Sequence, residues 1–262
     1  MITLSPRGNI SFTLTLLTPI LAILFTLFIG LIIFSSLGYD PFKSLYYFFI
    51  APVSRPDQVA ALAVKACPLI LIASGLVFCY RANIWNIGAE GQLVFGAIFS
   101  GWVALNFLDS NSIFLLPAMI IASILGGLLW AMIPAILKIR FNTNEILVSL
   151  MLTYVASLFI DYLVRGPWRD PMSFGFPLTP TYSDAALIDR INIPFIGYIG
   201  QLHFGVLIAL AVSIILWFVL MKMLPGFKIR VTGDSPSAAI FAGFNPYSVT
   251  IMVMCISGGT AG

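Results

Sequence analysis

The feature that most limits what this chain can fold into is the length of its apolar runs. Six of them, near Leu16 to Leu37, Gln58 to Tyr80, Gly91 to Phe107, Ile113 to Leu137, Glu145 to Val164 and Phe204 to Leu224, are continuous rather than alternating. Each is close to the ~20 residues that carry an α-helix across about 30 Å of hydrocarbon, whereas alternation would read as a barrel strand. A chain that is 60% hydrophobic and 9% charged has little with which to face water; soluble domains carry about 25% charged residues. In a bilayer that composition suits lipid-facing positions, provided every backbone amide is satisfied within its helix. The sequence therefore predicts an all-α, polytopic integral membrane protein, one domain over 1–262, with six complete transmembrane helices and the start of a seventh near Pro246. That seventh run meets Gly262 before reaching the length of a span, so the chain is expected to be a truncated or split product of a longer protein.

The first run follows Arg7, but it is longer than the apolar core of a cleaved signal peptide, so it reads as a retained signal-anchor. With the N-terminus cytoplasmic, the interior connections carry Arg81, Lys138, Arg140, Lys222, Lys228 and Arg230 with few acids beside them. The exterior ones carry Lys43, Arg55, Arg165, Arg169 and Arg190 together with Asp40, Asp57, Asp109, Asp170, Asp184 and Asp189. This modest lysine and arginine bias supports the orientation. The net charge of +3 includes no basic run, which sets nucleic acid aside as a partner. Cys67 and Cys79 fall on one predicted helix, too far apart to bridge, and His203 is the single histidine, so no metal-ligand cluster is expected.

Between the second and third runs stands RANIWNIGAEGQLVFGA. Asn83, Asn86, Gly88, Glu90, Gly91 and Gln92 interrupt apolar surroundings there, and polar backbone at membrane depth is tolerated where it is buried in protein or lines a cavity. One reading is a discontinuous helix whose freed amides and side-chain amides line a solute pathway, with Arg81 the nearest partner for Glu90. The other is a cytoplasmic turn in which Asn86 caps the next helix and Glu90 is favoured in its first turn. Lys65 lies in the second run near Pro68, and reads as a snorkelling lysine near the exterior end of a kinked helix or as a pathway lysine.

The stretch 165–203 is the long extracytoplasmic connection, broken by Pro167, Pro171, Pro177, Pro180 and Pro194 and carrying Trp168, Phe174, Phe176 and Tyr182. It reads either as a loop lying on the membrane surface or as a docking surface for an external solute-binding protein. The cytoplasmic loop 225–245, in GFKIRVTGDSPSAAIFAGFNP, holds a short delimited helix. Asp234 or Ser235 can cap it, Pro236 suits its first position and Gly243 its left-handed stop, with Gly233 just upstream; Asn245 and Pro246 open the next helix in the same way. So short a helix must pack on something. Ser237, Ala238 and Ala239 permit close approach and Ile240 and Phe241 offer an apolar plug, either on the chain itself or in a partner's groove. Two weaker signals are Asn144 and Glu145, explained by capping at the start of the fifth run, and the small residues of SGGTAG, which suit close helix packing.

The chain lacks a phosphate-binding P-loop, a nucleophile elbow, an H-E-x-x-H and a paired-carboxylate site, so an ATPase or membrane hydrolase has little to work with here. KACPLILIASGLVFCYRANIWNIGAEGQLVFGA, NTNEILVSLMLTYVA, GFKIRVTGDSPSAAIFAGFNP and ISGGTAG, in that order, resemble the permeases of bacterial ABC importers for nucleosides and simple sugars, from about Leu62 onward. The resemblance implies a multi-pass permease of the bacterial inner membrane that moves a nucleoside or simple sugar inward. It also implies a second permease subunit, a cytoplasmic ABC ATPase that binds the ATP and magnesium, and a solute-binding protein or lipoprotein outside. This chain itself would hold no cofactor. Asn83, Asn86, Gly88, Glu90, Gly91 and Gln92 would then belong to the solute pathway, and Gly233, Asp234, Pro236, Ala238, Ala239, Phe241 and Gly243 to the ATPase-coupling segment. A secondary transporter or channel, a membrane-embedded lipid enzyme and an inactive remnant of a permease remain the alternatives.

Overall fold

The computed structural model describes residues 12–193 and 197–262; Arg7, the charge before the first run, and Pro194 lie outside the described residues. The chain falls into two compact units, Met1–Leu62 and Ala63–Gly262. In the first unit, α1 (Phe12–Ser36) leaves its described side chains exposed or half-exposed, as an apolar helix in lipid would. A short α2 (Pro41–Leu45) follows, started by Asp40, whose Oδ1 accepts from the Phe42 and Lys43 amides at 3.0 and 3.1 Å with Pro41 in the first helical position. A π-helical turn (Tyr46–Ile50) and a 3₁₀ turn (Ala51–Val53) lead to α3 (Pro56–Arg81), which runs on into the second unit.

In the second unit α4 (Ala89–Asn106), α5 (Leu115–Phe141) and α10 (Pro246–Ala261) pack on one another, and α6 (Glu145–Arg165) lies along α4 and α5. Glycines let the backbones meet. A Cβ on Gly127 would run into the Gly258 carbonyl, and one on Gly258 into Ala131 and the Gly127 carbonyl. This is the small-residue contact expected of SGGTAG, and it suits membrane helices, which gain from van der Waals fit where burial from water cannot drive them together. The turn from α5 to α6 is equally defined. Asn142 takes the left-handed conformation (φ 50°), Asn144 Oδ1 accepts from the Ile146 amide at 2.9 Å, and Lys138 at the end of α5 pairs with Glu145 at the start of α6. Asn144 thus caps as expected.

Five helices have the length and hydropathy of a membrane span: Thr13–Ser36, Pro56–Arg81, Leu115–Phe141, Glu145–Arg165 and Gly205–Lys222, the last being α7. The remaining expected span forms α4, whose Glu90, Gln92 and Asn106 leave it less apolar than these five. The described chain is mostly helical, as the sequence predicts, and adds one small antiparallel hairpin, β1 (Arg190–Ile193) with β2 (Gly197–His203). The connection 165–203 is accordingly not all loop, and it holds a 3₁₀ turn at Asp184–Ala186 as well. The stretch 225–245 is mostly helical, split into α8 (Leu224–Asp234) and α9 (Pro236–Phe241). α8 escaped notice because its buried positions, Gly226, Ile229 and Thr232, include one large apolar residue.

α8 is held by an apolar cluster at one end of the helices. Ile229 packs there with Phe78 and Cys79 of α3, Ala82 and Ile84 just beyond it, Ala135 of α5, Leu220 of α7 and Val249, Val253 and Met254 of α10. The three cysteines are free, and among the described residues no group of side chains is arranged to hold a metal ion.

Candidate functional site

α3 stops at Arg81 and α4 starts after Gly88; between them the Ala82, Asn83 and Ile84 amides reach back to the last turn of α3, Asn83 to the Tyr80 carbonyl at 3.1 Å and Ile84 to the Cys79 carbonyl at 2.9 Å, and the Gly88 carbonyl accepts the first bond of α4 from the Gln92 amide at 3.1 Å. The chain reverses at Asn83, which adopts φ 56°, a conformation asparagine tolerates better than most residues. Beyond it the side chains alternate. Ala82, Ile84, Asn86 and Gly88 are buried, while Asn83, Trp85 and Ile87 are exposed, as in an extended strand with one covered face. Sequence reasoning missed this alternation because both faces contain apolar residues.

The covered face carries a polar lock. Asn86 is 0% exposed and Gln92, in the first turn of α4, is 1% exposed. Asn86 Nδ2 donates to Gln92 Oε1 at 3.0 Å and to Ser257 Oγ of α10 at 2.9 Å. Asn86 Oδ1 accepts from the Gly88 amide at 3.1 Å and from Gln92 Nε2 at 3.1 Å. Both donor hydrogens and both acceptor sites of the Asn86 amide are therefore in use. Asn86 does not cap α4; Gly88 holds that position without a side-chain bond, and Asn86 instead closes a local turn onto it. Ser149 of α6 adds a further tie, its Oγ accepting from the Ile87 amide at 3.2 Å.

Glycine is needed at both marked positions because α6 lies against the break. A Cβ on Gly88 would come within 2.7 Å of the Ser149 carbonyl oxygen, and one on Gly91 within 2.9 Å of Thr153 Cα. Beside Gly91, Trp130 stacks on Phe95 with ring centroids 3.5 Å apart, and its buried indole N–H has no acceptor among the described residues. Ser149 and Thr153 were not picked out from the sequence, although a signal exists. Glu145, Ser149, Thr153 and Ala156 form the buried stripe of α6 at spacings of four, four and three, one face of a helix.

Glu90 stands apart from the lock. It is exposed in the first turn of α4, and the ion pairs among the described residues join Arg55 to Asp57, Lys138 to Glu145 and Arg165 to Asp161. The expected pairing with Arg81 does not form. Glu90 and Asn83 are each exposed, and Trp85 and Tyr80 form a tilted aromatic pair 5.3 Å between centroids. Lys65 is exposed on α3 and Pro68 lies one turn along from it.

The second group of marked residues forms α9 and its ends. Ser235, rather than Asp234, is the cap, its Oγ accepting from the Ala238 amide at 3.4 Å, with Pro236 at the first helical position. Gly243 has φ 79°, and the Phe244 amide reaches back to the Ala239 carbonyl at 2.8 Å, the wrapped end expected of a left-handed stop. Asn245 then caps α10 through the Tyr247 amide at 2.9 Å. Ala239 is fully buried, so one side of α9 rests on its own chain, while Ala238 is exposed and Ile240 and Phe241 are 63% and 96% exposed.

Residues 58–262 match the family described as branched-chain amino acid transport system, permease component. A glucose ABC transporter permease protein of Haloferax volcanii is 33% identical over 263 residues, covering 98% of this chain and 69% of that protein. A guanosine ABC transporter permease protein of Bacillus subtilis is 30% identical over 250 residues, covering 94% and 70%. A nucleoside ABC transporter permease protein of Lactococcus lactis is 26% identical over 257 residues, covering 95% and 69%. No solved structure matches the chain. A helical chain with several membrane-length helices, matched over 58–262 and aligned over most of its own length with these permeases, belongs to the permease-component family of ABC transport systems.

Proposed function

We propose that this chain is the pore-forming permease subunit of an ABC importer that carries a nucleoside or a simple sugar into the cell. The observation that carries the proposal is the pairing of a break between helices, locked on its buried face and exposing Asn83, Trp85 and Ile87 on the other, with a short capped helix that exposes Ile240 and Phe241. Asn83 and Glu90 supply an amide and a carboxylate suited to solute hydroxyls, while Asn86, Gly88, Gly91 and Gln92 hold the segment in place. The solutes named for the relatives, glucose, guanosine and nucleosides, are of that hydroxyl-rich kind.

In this reading α4 completes a set of six spans, α10 begins a seventh, and the N-terminus is cytoplasmic in a bacterial inner membrane. α9 seats in a cytoplasmic ATPase that binds the ATP and magnesium. Gly233 and Asp234 lead into it, Pro236, Ala238, Ala239 and Phe241 form its body, and Gly243 ends it. A second permease subunit completes the pore, and 165–203 receives an external solute-binding protein. Transport follows if the ATP-bound and ATP-free partner hold α9 in different positions, since only contacts that differ between states shift an equilibrium. The test is co-purification of the ATPase with the permease. Ala238→Trp places an indole on the exposed side of α9 and is expected to abolish recovery of the ATPase while the permease itself still purifies. Undiminished recovery refutes the assignment of α9.

A further inference from the structure

α9 is flanked in sequence by α8 and α10, and both of these helices touch the break. The first contact is backbone on backbone. Gly233, in the last turn of α8, lies so close to the end of α3 that a Cβ there would collide with the Arg81 carbonyl and stand 3.1 Å from Ala82 Cα. The second runs through α10, which is capped by Asn245 and carries Ser257 about 18 Å along its axis from that cap at 1.5 Å per residue. There Ser257 Oγ accepts from Asn86 Nδ2 at 2.9 Å, with Ser257, Asn86 and Gln92 all closed to solvent. The segment 82–88 is thus gripped near its start by the helix before α9 and near its end by the helix after it.

Resting on the importer reading above, we infer that α9 moves the break through these two grips, and that Ser257 is a positioning residue which sets the segment 82–88 without touching solute. A displacement of α9 passes to Arg81 through Gly233 and to Asn86 through α10. Because Ala82 and Ile84 are packed in the apolar cluster with Ile229, Val249 and Val253, the covered face follows those helices and the exposed face, Asn83, Trp85 and Ile87, turns with it. Asn86 has no free hydrogen-bonding site for solute, and the lock serves orientation.

The test is Ser257→Ala in the assembled importer in liposomes, with solute uptake and phosphate release measured on the same vesicles. The expected result is a fall of about tenfold in solute carried per ATP hydrolysed, with hydrolysis itself within about twofold of wild type, a coupling loss of ordinary size. Gly233→Ala, which pushes Arg81 away, should lower the same ratio. An unchanged ratio, or uptake and hydrolysis falling in parallel, overturns the inference. Should Gly233→Ala fail to assemble, Ser257→Ala, which only removes an atom, decides alone. Wild type lacking ATP-dependent uptake would overturn the importer reading and this inference together; a working importer indifferent to Ser257→Ala would overturn the inference alone.

Discussion

Asn86→Ala separates a structural lock from a solute ligand. Asn86 makes four hydrogen bonds, two with Gln92 and one each with Ser257 and the Gly88 amide, in a site closed to solvent. Side-chain hydrogen bonds inside membrane proteins average roughly 0.6 kcal/mol each, so four account for about 2 to 3 kcal/mol. The substitution also leaves the Gln92 amide buried without its partner, a further cost of about 1 to 3 kcal/mol. Together these place the loss at roughly 3 to 6 kcal/mol, and at about 2 to 4 °C per kcal/mol for a chain of this size the melting temperature should fall by on the order of 10 °C. The assay is thermal unfolding of the detergent-purified chain, followed by loss of monodispersity at a fixed heating rate. A variant that melts with wild type yet loses solute uptake would refute the lock, because it would make Asn86 a solute contact that the fold does not depend on.

Other perturbations address the remaining parts. Glu90→Gln keeps the shape of an exposed side chain and should change uptake several-fold while the purified assembly stays intact; uptake indistinguishable from wild type removes Glu90 from the pathway. Gly127→Leu drives a side chain into the Gly258 carbonyl and should cost more than the ~1 to 3 kcal/mol usual for overpacking, seen as loss of monodisperse protein on size-exclusion chromatography. Lys138→Ala and Glu145→Ala remove the two halves of the ion pair that closes the α5–α6 turn. The double-mutant cycle should show coupling of about 1 to 2 kcal/mol in thermal unfolding, and additive losses would show that the pair does not fix the turn.

Much of this arrangement was legible because it is local. The caps at Ser235 and Asn245, Pro236 at the start of α9 and the left-handed Gly243 follow from side chains acting on their own backbone within a few residues. Capping at Asn144 did so too. α8 was not legible, since its stability comes from seating Ile229 among residues of four other helices. The hairpin of β1 and β2 was missed for a related reason, as strand pairing needs a partner that no local pattern in 190–203 announces.

The break shows where the two kinds of information divide. Six polar or small residues in an apolar chain were enough to mark 83–92 as an interruption, because polar side chains and irregular backbone are costly in lipid unless they are buried in protein or reach water. By itself the sequence determined a chain that crosses a membrane repeatedly in helices, with an interruption before α4 and a short capped helix before α10. It left the roles within the interruption undivided. The tertiary structure decided that Asn86 and Gln92 face inward and spend their hydrogen bonds on each other and on Ser257, while Asn83 and Glu90 face outward. Ser257 lies 171 positions from Asn86, and no periodicity spans such a separation; only the close approach of α10, allowed by its glycines, brings the two together.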